Sequence, residues 1–516
     1  HTDIMKILPI DDLNKVIAIA AEELGPNGSI EHIERYAEGV VAKIAELRFS
    51  TSTPVVVFAG SGGNGADALA VSRRLADAGY VKQEVFLFNI KGHGLSDNCR
   101  RQRDRLLRQG IVKLTEISDS MDYPGLTAAH LVIDGLFGSG LRDKMPRGFA
   151  MLAHVINESG ATVAALDVPS GLHPDWNPTL VPRDVVNATY TMGCGAPHLA
   201  YFTPDTAPLC GKYLIVDIGL SANAFRKMTT RFYVLEADFL QRMLMPRDTF
   251  ATKEDFGSAL LVAGSYGMVG AAVLAAKGAL RSGAGKITVH SPRCSMVILQ
   301  TAVPEAMFRA DKNDLFVTET GSSAMRLDGF SAVGIGPGLG RREETVNAVE
   351  NLLKTYRGPI VIDADALNCI AMRRTLLNHL SPNTVITPHN AEFDRLFGEC
   401  NTGEERLLKA VELAAQYRII IVLKHHHTAI VLPNGNIYFN STGNAGMATP
   451  GSGDVLTGII TSFLAQGYRA DISAIAGVYF HGLAGDMALK KSHSWSLSAG
   501  DIAEALPAAF ANIIPS

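Results

Sequence analysis

Residues 444–458 read NAGMATPGSGDVLTG and decide the fold predicted for the C-terminal half. Small residues lead into an apolar segment whose first turn carries Asp454, a pattern that predicts a loop followed by the start of a helix. Glycines let backbone N–H groups approach an anion, and a helix start adds the positive end of its dipole. The stretch therefore indicates a phosphate site in which Asp454 takes a proton from an attacking hydroxyl. The plainer alternative is a turn with a capping aspartate.

Short apolar runs alternate with helical spacing along the rest of the chain. The runs that end in glycine or polar loops lie at 54–59, 131–134, 163–167, 259–263, 286–290, 332–335, 359–363, 384–387 and 419–423. This alternation predicts an α/β fold with parallel strands, whose ligands bind beyond the carboxyl ends of the strands. Residues 429–439 predict a β-hairpin and residues 5–47 a helical segment.

The alternation stops at residues 220–255, where charged and polar residues replace it. We therefore expect two doubly wound α/β domains, at residues 1–225 and 226–516. The uncharged stretch 258–276 is long enough to cross a membrane, but its glycines favour a strand, a loop and a helix.

Composition excludes several classes of protein. Of 516 residues, 47% are hydrophobic and 19% charged, which suits large buried cores and argues against disorder. A net charge of −4 gives no reason to expect nucleic acid or an anionic membrane as a partner. The six cysteines form no CxxC pair, and no charged start precedes an apolar segment. We expect a cytoplasmic chain without a secretory signal, acting on small molecules as a homo-oligomer.

Several ordered stretches in residues 230–512 resemble the ADP-dependent NAD(P)H-hydrate dehydratases, which have a ribokinase-like fold. They read GSYGMVGAA at 264–272, GPGLG at 336–340, DADALN at 363–368, TPH at 387–389, KHHHT at 424–428 and GD at 453–454. Two stretches depart from the family pattern. Asn390 and Ala391 stand where Pro and Gly are usual, and His425 stands where Gly is usual. Neither change removes a catalytic group.

The resemblance implies roles for individual residues. It makes Asp454 catalytic. It places the nucleotide, ADP or ATP with Mg²⁺, against Lys424, His425, His426, His427, Thr428 and Gly453. It places the hydrated nicotinamide nucleotide against Ala271, Ala272, Gly338, His389 and Asp454. The three adjacent histidines could instead suggest a metal site, but neighbouring residues on a strand point to opposite faces, which disfavours it.

The first half carries GSGGNGAD at residues 60–67, where a predicted strand meets a predicted helix. By itself this loop is a weak sign of phosphate or dinucleotide binding, and no acidic residue ends the next strand. Three other stretches, ERYA at 34–37, IDGLFGSGL at 133–141 and DVPSG at 167–171, accompany it. Together, across residues 5–222, they resemble the NAD(P)H-hydrate epimerases, which implies a Rossmann-like three-layer sandwich.

This second resemblance also assigns residues. It implies a potassium ion held by oxygen atoms of Asn64, Asp134 and Ser170. It implies substrate contacts at Gly63, Asn64, Gly65, Ala66, Asp67, Gly138, Ser139, Gly140, Leu141, Arg142, Asp143, Lys144 and Asp167. It makes Asp167 the acid/base candidate, although a strand-end aspartate can also be a simple cap.

Three departures bear on the epimerase. Gly63 replaces an Asn of the family loop, Ala66 replaces a Gly, and His198 stands where Lys is common. The methyl group of Ala66 matters only if that residue needs a positive φ or a very close approach. The activity could therefore be weakened while the fold and the potassium site persist.

Two functional hypotheses follow. The first is a bifunctional repair enzyme: ADP-dependent dehydration of the S form of hydrated NADH or NADPH (NADHX, NADPHX), with epimerisation of the R and S forms. The second is a ribokinase-like small-molecule kinase whose N-terminal half is a non-catalytic binding module. Accumulation of a phosphorylated product would favour the second.

Overall fold

The computed structural model describes residues 4–90, 94–120, 124–320 and 326–514. The chain forms two compact units, Lys6–Thr230 and Arg231–Ser516, with His1–Met5 grouped with the second. The expected functional boundary, between residues 225 and 226, stays a prediction. In sequence, strand β1, Met5–Ile7, spans the division between Met5 and Lys6.

The N-terminal unit is built on a parallel sheet. Its strands are β2 Val55–Ala59, β3 Gln83–Phe88, β4 Lys113–Ile117, β5 Leu131–Gly135, β6 Thr162–Leu166, β7 Tyr190–Cys194 and β8 Lys212–Val216. Its helices are α1 Ile10–Glu23, α2 Gly28–Glu46, α3 Gly63–Asp77, α4 Asp97–Gln109, α5 Arg147–Glu158, α6 Ala207–Cys210 and α7 Ala222–Lys227. Within the described residues the strand order is β4-β3-β2-β5-β6-β7-β8, and every neighbouring pair is parallel.

Alternate residues of each central strand face opposite sides of this sheet. Val55 and Val57 pack into a core with residues of α2, α3 and α4. Val56 and Phe58 pack into a second core with residues of α5. The sheet is therefore the middle of three layers, which explains why its strands read as continuous apolar runs. The predicted α/β fold is confirmed.

The C-terminal unit has a larger sheet. Its strands are β9 Phe232–Val234, β10 Ser258–Val262, β11 Lys286–Ser291, β12 Met307–Ala310, β13 Ala332–Ile335, β14 Ile360–Ile362, β15 Val385–Ile386, β16 Ile420–Leu423, β17 Ala429–Val431 and β18 Ile437–Phe439. Their order is β9-β18-β17-β16-β15-β14-β13-β10-β11-β12. The pairs from β16 to β12 are parallel, and β16, β17 and β18 are successively antiparallel.

The helices of this unit are α8 Ala237–Met243, α9 Val269–Arg281, α10 Met296–Ala302, α11 Glu343–Thr355, α12 Ala364–Met372, α13 Asn390–Phe397, α14 Gly403–Tyr417, α15 Ser452–Ala465, α16 Ala470–Leu489 and α17 Ala499–Ile513. Helix α15 packs on β10, β13 and β14 and contacts α9 and α16. Among the described helices, only α16 is long and apolar enough to cross a membrane, and 72% of its apolar window is buried within the fold, as in a core helix.

Several local predictions need correction. The segment predicted to be helical from residue 5 to 47 is a short strand followed by two helices, separated near Gly25, whose φ is +87°. The region predicted to lack the α/β pattern, 220–255, contains α7, β9 and α8. The predicted hairpin at 429–439 is confirmed as β17 and β18.

Candidate active sites

The start of α15 lies where the sequence predicts a phosphate site. Gly451 is its N-cap in the left-handed conformation, with φ +86°, and Asp454 occupies the first turn. No side chain caps the helix, so the first backbone N–H groups are not occupied by a capping residue. Such a helix start favours an anion.

Close packing with α9 fixes the position of α15. A methyl group on Gly458 would lie 2.0 Å from the carbonyl oxygen of Ala275, and one on Gly278 would lie 2.4 Å from that of Val455. Only glycine permits this approach from either side. The two helices therefore meet backbone to backbone, one turn beyond Asp454.

Asp454 has the electrostatics of a general base. Burial raises the pKa of its carboxyl to about 7, and the neighbouring Asp363 carboxylate adds to the effect, while Lys424 opposes it. A base whose pKa lies near neutral pH is well matched to removing a proton from a hydroxyl.

Lys424 is held beside this carboxyl. Its Nζ donates to Oδ1 of Asp363 over 2.9 Å, and Oδ2 of Asp363 accepts the hydroxyl of Thr457 over 2.8 Å. Burial alone would lower the pKa of Lys424, but the carboxylates of Asp363 and Glu392 raise it above its ordinary value. A methyl group on Gly453 would lie 3.3 Å from Nζ. The structure thus brings together Gly453, Asp454 and Lys424.

The three histidines after Lys424 lie on a turn beyond β16. The expectation that they alternate between the two faces of a strand is therefore wrong. In the described part of the chain, no group of three histidine, cysteine or acidic side chains could hold a metal ion. Burial lowers the pKa of His425 to about 3 and that of His427 to about 4. The hydroxyl of Thr428 donates to the carbonyl of His425 over 3.0 Å, which closes the turn.

The loops predicted to bind the hydrated nucleotide meet beside α9. Gly338 has φ +62°, and a methyl group there would lie 2.9 Å from Cβ of Ala271. Ser265 donates its hydroxyl to the carbonyl of Gly338 over 2.8 Å. Ala272 differs, because its side chain is fully buried in the core with Leu261.

His389 caps helix α13. Its backbone N–H donates to Glu392 over 2.9 Å, and its Nδ1 accepts the N–H of Glu392 over 3.4 Å. The imidazole is 49% exposed, so it is open to a ligand. The replaced Asn390 and Ala391 leave this capping box intact. Glu392 also approaches Nζ of Lys424 to 3.8 Å.

The glycine loop of the N-terminal unit tolerates its two departures. Apart from Gly63 and its two neighbours in sequence, no heavy atom lies within 4 Å of a methyl group placed on Gly63. Ala66 is fully buried in α3, and its φ is not positive. Gly65 is the position that needs glycine, because a methyl group there would lie 1.7 Å from the carbonyl oxygen of Gly60. The extra methyl of Ala66 therefore causes no strain in the loop.

Two of the three predicted potassium ligands lie in direct contact. Asp134 accepts the backbone N–H of Ser170 over 2.8 Å and its hydroxyl over 2.6 Å. Burial raises the pKa of Asp134 to about 6, although these hydrogen bonds oppose the shift. Asn64 is the third, and both polar atoms of its amide are buried without a hydrogen-bond partner among the described residues.

Asp167 and Asn64 both lie close to Gly138. A methyl group on Gly138 would lie 3.0 Å from the amide carbon of Asn64 and 3.2 Å from Oδ2 of Asp167. Oδ2 of Asp167 accepts the backbone N–H of Ser139 over 3.0 Å, and its Oδ1 lies 2.7 Å from Nε2 of His198. The loops after β2, β5 and β6 therefore converge, as expected for adjacent parallel strands.

A cavity of about 1210 Å³ opens over these loops. The predicted residues on its wall are Gly63, Asn64, Asp67, Gly138, Ser139, Gly140, Leu141, Arg142, Asp143, Lys144 and Asp167. Gly65, Ala66, Asp134 and Ser170 lie outside that wall. Burial raises the pKa of Asp67 well above its ordinary value, and the nearby Asp167 carboxylate adds to the effect.

Sequence reasoning assigned no role to some residues at these sites. Asp363 and Thr457 hold Lys424, and Glu392 lies beside it. In the other unit, the side chain of His198 contacts the carboxylate of Asp167. The hydroxyl of Tyr36 accepts the backbone N–H of Asp167 over 3.1 Å. Each is far in sequence from its partner, so only the stretches DADALN and ERYA hinted at Asp363 and Tyr36.

Comparison with known proteins gives two family matches. Residues 259–508 match the family model described as NAD(P)H-hydrate dehydratase. Residues 30–200 match the model described as YjeF-related protein N-terminus. Each match lies within one of the compact units.

Individual proteins match over almost the whole chain. The bifunctional NAD(P)H-hydrate repair enzyme Nnr of Moorella thermoacetica is 33% identical, over 94% of this chain and 91% of its own length. The enzyme of the same name from Thermofilum pendens is 31% identical, over 98% of this chain and 96% of its own. Among solved structures, the ADP/ATP-dependent NAD(P)H-hydrate dehydratase of Bacillus subtilis, co-crystallised with ATP and Mg²⁺, is 30% identical with a TM-score of 0.47. That match covers 54% of this chain and 97% of the other.

Proposed function

The chain belongs to the bifunctional NAD(P)H-hydrate repair enzymes, and from that premise we propose which unit does what and with which residues. Residues 226–516 dehydrate S-NADHX and S-NADPHX at the expense of ADP. Residues 1–225 interconvert the R and S forms. One observation supports the first assignment most strongly: a carboxyl with a pKa of about 7 lies in the first turn of a helix beside a partly buried lysine.

The proposed dehydration begins with phosphoryl transfer. Hydration leaves a hydroxyl on C6 of the nicotinamide ring, and hydroxide is a poor leaving group. Asp454 takes the proton of that hydroxyl, whose oxygen attacks the terminal phosphorus of the nucleotide. The first N–H groups of α15 stabilise charge on the phosphate oxygens. The nucleotide leaves as AMP when ADP is the donor. Departure of phosphate from C6, with loss of a proton from C5, then forms the C5=C6 double bond of the reduced nicotinamide.

Lys424 would bind the nucleotide phosphates. One of its three donors is used by Asp363, which leaves two that can reach phosphate oxygens. His425, His426, His427 and Thr428 would line the nucleotide beside it. Ala271, Gly338 and His389 would contact the nicotinamide nucleotide, whereas Ala272 could contribute only backbone atoms.

Magnesium fits this site only with the nucleotide. Both carboxylate oxygens of Asp363 are engaged by Lys424 and Thr457, and those of Asp365 accept bonds from Gly340 and Asn368. Mg²⁺ commonly keeps water and binds phosphate oxygens. We therefore assign it to the nucleotide phosphates, whose charge it would reduce.

In the N-terminal unit, Asp167 would bind the substrate and exchange a proton with it. The potassium ion would be held by Asn64, Asp134 and Ser170. The unpartnered amide of Asn64 fits this role, since its oxygen lacks a donor and a cation supplies the missing charge. Potassium would fix the loops under the cavity.

Replacing potassium by choline should lower the melting temperature of the N-terminal unit, because the buried carboxyl of Asp134 would lose its cation. Differential scanning calorimetry at equal ionic strength measures this. Asn64→Ala should remove most of the potassium effect. An identical melting curve in both salts would contradict the assignment.

The direct test of function supplies purified R- and S-NADHX with and without ADP and follows the near-ultraviolet absorbance of the reduced nicotinamide. We expect rapid recovery from the S form with ADP, slower recovery from the R form, and release of one phosphate per molecule repaired. A stable phosphorylated product would favour the kinase alternative. The cytoplasmic location, the homo-oligomeric state and the absence of nucleic-acid or membrane partners stay predictions.

A further inference from the structure

The backbone of Asp167 is held in an uncommon conformation. Its φ is +65°, in the left-handed region that a non-glycine residue seldom occupies. Its N–H donates to Met192 over 2.9 Å and to the hydroxyl of Tyr36 over 3.1 Å. The hydroxyl of Tyr201 donates to its carbonyl oxygen. These contacts aim the carboxyl at the cavity and prevent the residue from relaxing.

The side chain of Asp167 has one partner with a titratable ring. His198 is fully buried, and its Nε2 lies 2.7 Å from Oδ1 of Asp167. The ring packs edge-on against Tyr201, with 5.4 Å between centroids. Its other nitrogen, Nδ1, has no partner among the described residues. The imidazole therefore has one evident polar contact, which is with the carboxylate.

The surroundings of Asp167 otherwise disfavour an ionised carboxylate. Burial alone would raise its pKa, but attraction to His198 and hydrogen bonds from His198 and Ser139 lower it below the ordinary value. Asp67 on α3, Tyr36 on α2, Cys194 on β7 and Tyr201 are the other titratable groups close by, and burial raises the pKa of each. None of these groups supplies a positive charge.

We propose that His198 is a positioning residue for epimerisation, which holds the Asp167 carboxylate through a direct contact and aims it into the cavity. The proposal rests on the epimerase function proposed above. Asp167 touches the substrate, and His198 acts through it. A purely structural role for His198 would require only a neutral hydrogen-bond donor of similar size.

The reaction needs one proton, taken and returned. Asp167 takes the proton of the C6 hydroxyl, C6 forms a carbonyl with that oxygen, and the C6–N1 bond breaks. The electron pair stays on N1, delocalised into the ring carboxamide. After rotation about C5–C6, N1 attacks the other face of the carbonyl, and Asp167 returns the proton to the oxygen. No oxidant or further reactant is required.

The test compares wild type, His198→Gln and His198→Lys on R-NADHX in the full-length chain, with conversion of S-NADHX as the internal control. Gln provides a neutral donor, and Lys provides a positive charge. For His198→Gln we expect kcat of epimerisation to fall roughly 10-fold or more at neutral pH. KM should stay near its wild-type value, and the rise of kcat with pH should move to higher pH. His198→Lys should restore much of the rate.

A His198→Gln chain with wild-type kcat and pH profile would overturn the proposal, as would a His198→Lys chain no faster than His198→Gln. If the Gln variant does not fold, the wild-type profile decides. Its epimerisation should persist to below about pH 4, the ordinary pKa of an aspartate, because the neighbours of Asp167 lower the pKa of its carboxyl, and loss near neutral pH would refute the role. A folded wild type that dehydrates S-NADHX but never accelerates epimerisation refutes the epimerase function itself, and the inference with it.

Discussion

At the residue scale, the surroundings of Asp454 set the pKa of its carboxyl near neutrality, which supports the proposal that it is the base of the dehydration. Burial of the carboxyl and the neighbouring Asp363 raise its pKa, and Lys424 lowers it. The same aspartate on an exposed helix would have an ordinary pKa and remove a proton less effectively. Burial and two neighbours thus suit this helix-start aspartate to the proposed role of a base.

The pH dependence of dehydration should report this carboxyl. Only the ionised form can accept a proton, so kcat/KM should be level above about pH 7 and fall about tenfold per pH unit below it. Lys424→Met removes the charge that lowers the pKa, so the break should move to higher pH. Steady-state kinetics with S-NADHX across pH measures both. A break that stays in place in Lys424→Met would show that another group titrates.

The types of residue at each candidate site could be predicted from sequence, but the contacts between their side chains could not. GSGD and KHHHT identified Asp454 and Lys424 because glycine and a charged side chain follow a strand or begin a helix. The bonds from Asp363 to Lys424 and from His198 to Asp167 join residues 61 and 31 positions apart. No local spacing encodes such a contact, since it depends on which strands are neighbours.

At the scale of elements, glycine contacts between α9 and α15 hold the proposed phosphate site in place. Most central strands were predictable because both of their faces are buried, which leaves long apolar runs. The central strand β7 reads YTMGC, a mixture of polar and small residues rather than a continuous apolar run, and was not predicted. Strands β4, β8 and β12 were not predicted. Each is an edge strand with mostly half-buried or exposed residues, so polar side chains interrupt the apolar pattern.

Gly458→Ala should separate α15 from α9. The added methyl meets a backbone carbonyl that cannot move aside, so unfolding free energy should fall by about 1–3 kcal/mol. Dehydration should fall with it, while epimerisation should not. Gly500→Ala, on helix α17, is the matched control. Its added methyl would make only an ordinary contact of 3.6 Å with the hydroxyl of Ser498. Urea denaturation and both assays measure this, and equal stability of the two variants would contradict the packing argument.

At the scale of the whole molecule, two sheets carry two chemically different sites. The epimerase cavity belongs to residues 6–230 and the dehydratase site to residues 231–516. The two sites act on one metabolite in succession, because only the S form is proposed to be dehydrated. Each activity should therefore be lost separately.

Asp167→Asn tests this division. The amide keeps the shape of the side chain but cannot take a proton, so conversion of R-NADHX should fall to the uncatalysed rate of epimerisation. Conversion of S-NADHX should stay within about twofold of wild type, since Asp454 is unchanged. Recovery of absorbance from each separate epimer measures both. Equal losses on the two epimers would indicate one shared site instead.

The central claim is that Asp454 takes the proton of the C6 hydroxyl while the start of α15 binds the phosphate. The most direct measurement is the rate of ADP-dependent recovery of NADH from S-NADHX by Asp454→Asn, alongside calorimetric titration of ADP binding. The account predicts a loss of about 10²- to 10⁴-fold in kcat with ADP affinity retained. A variant that dehydrates S-NADHX at the wild-type rate would contradict it.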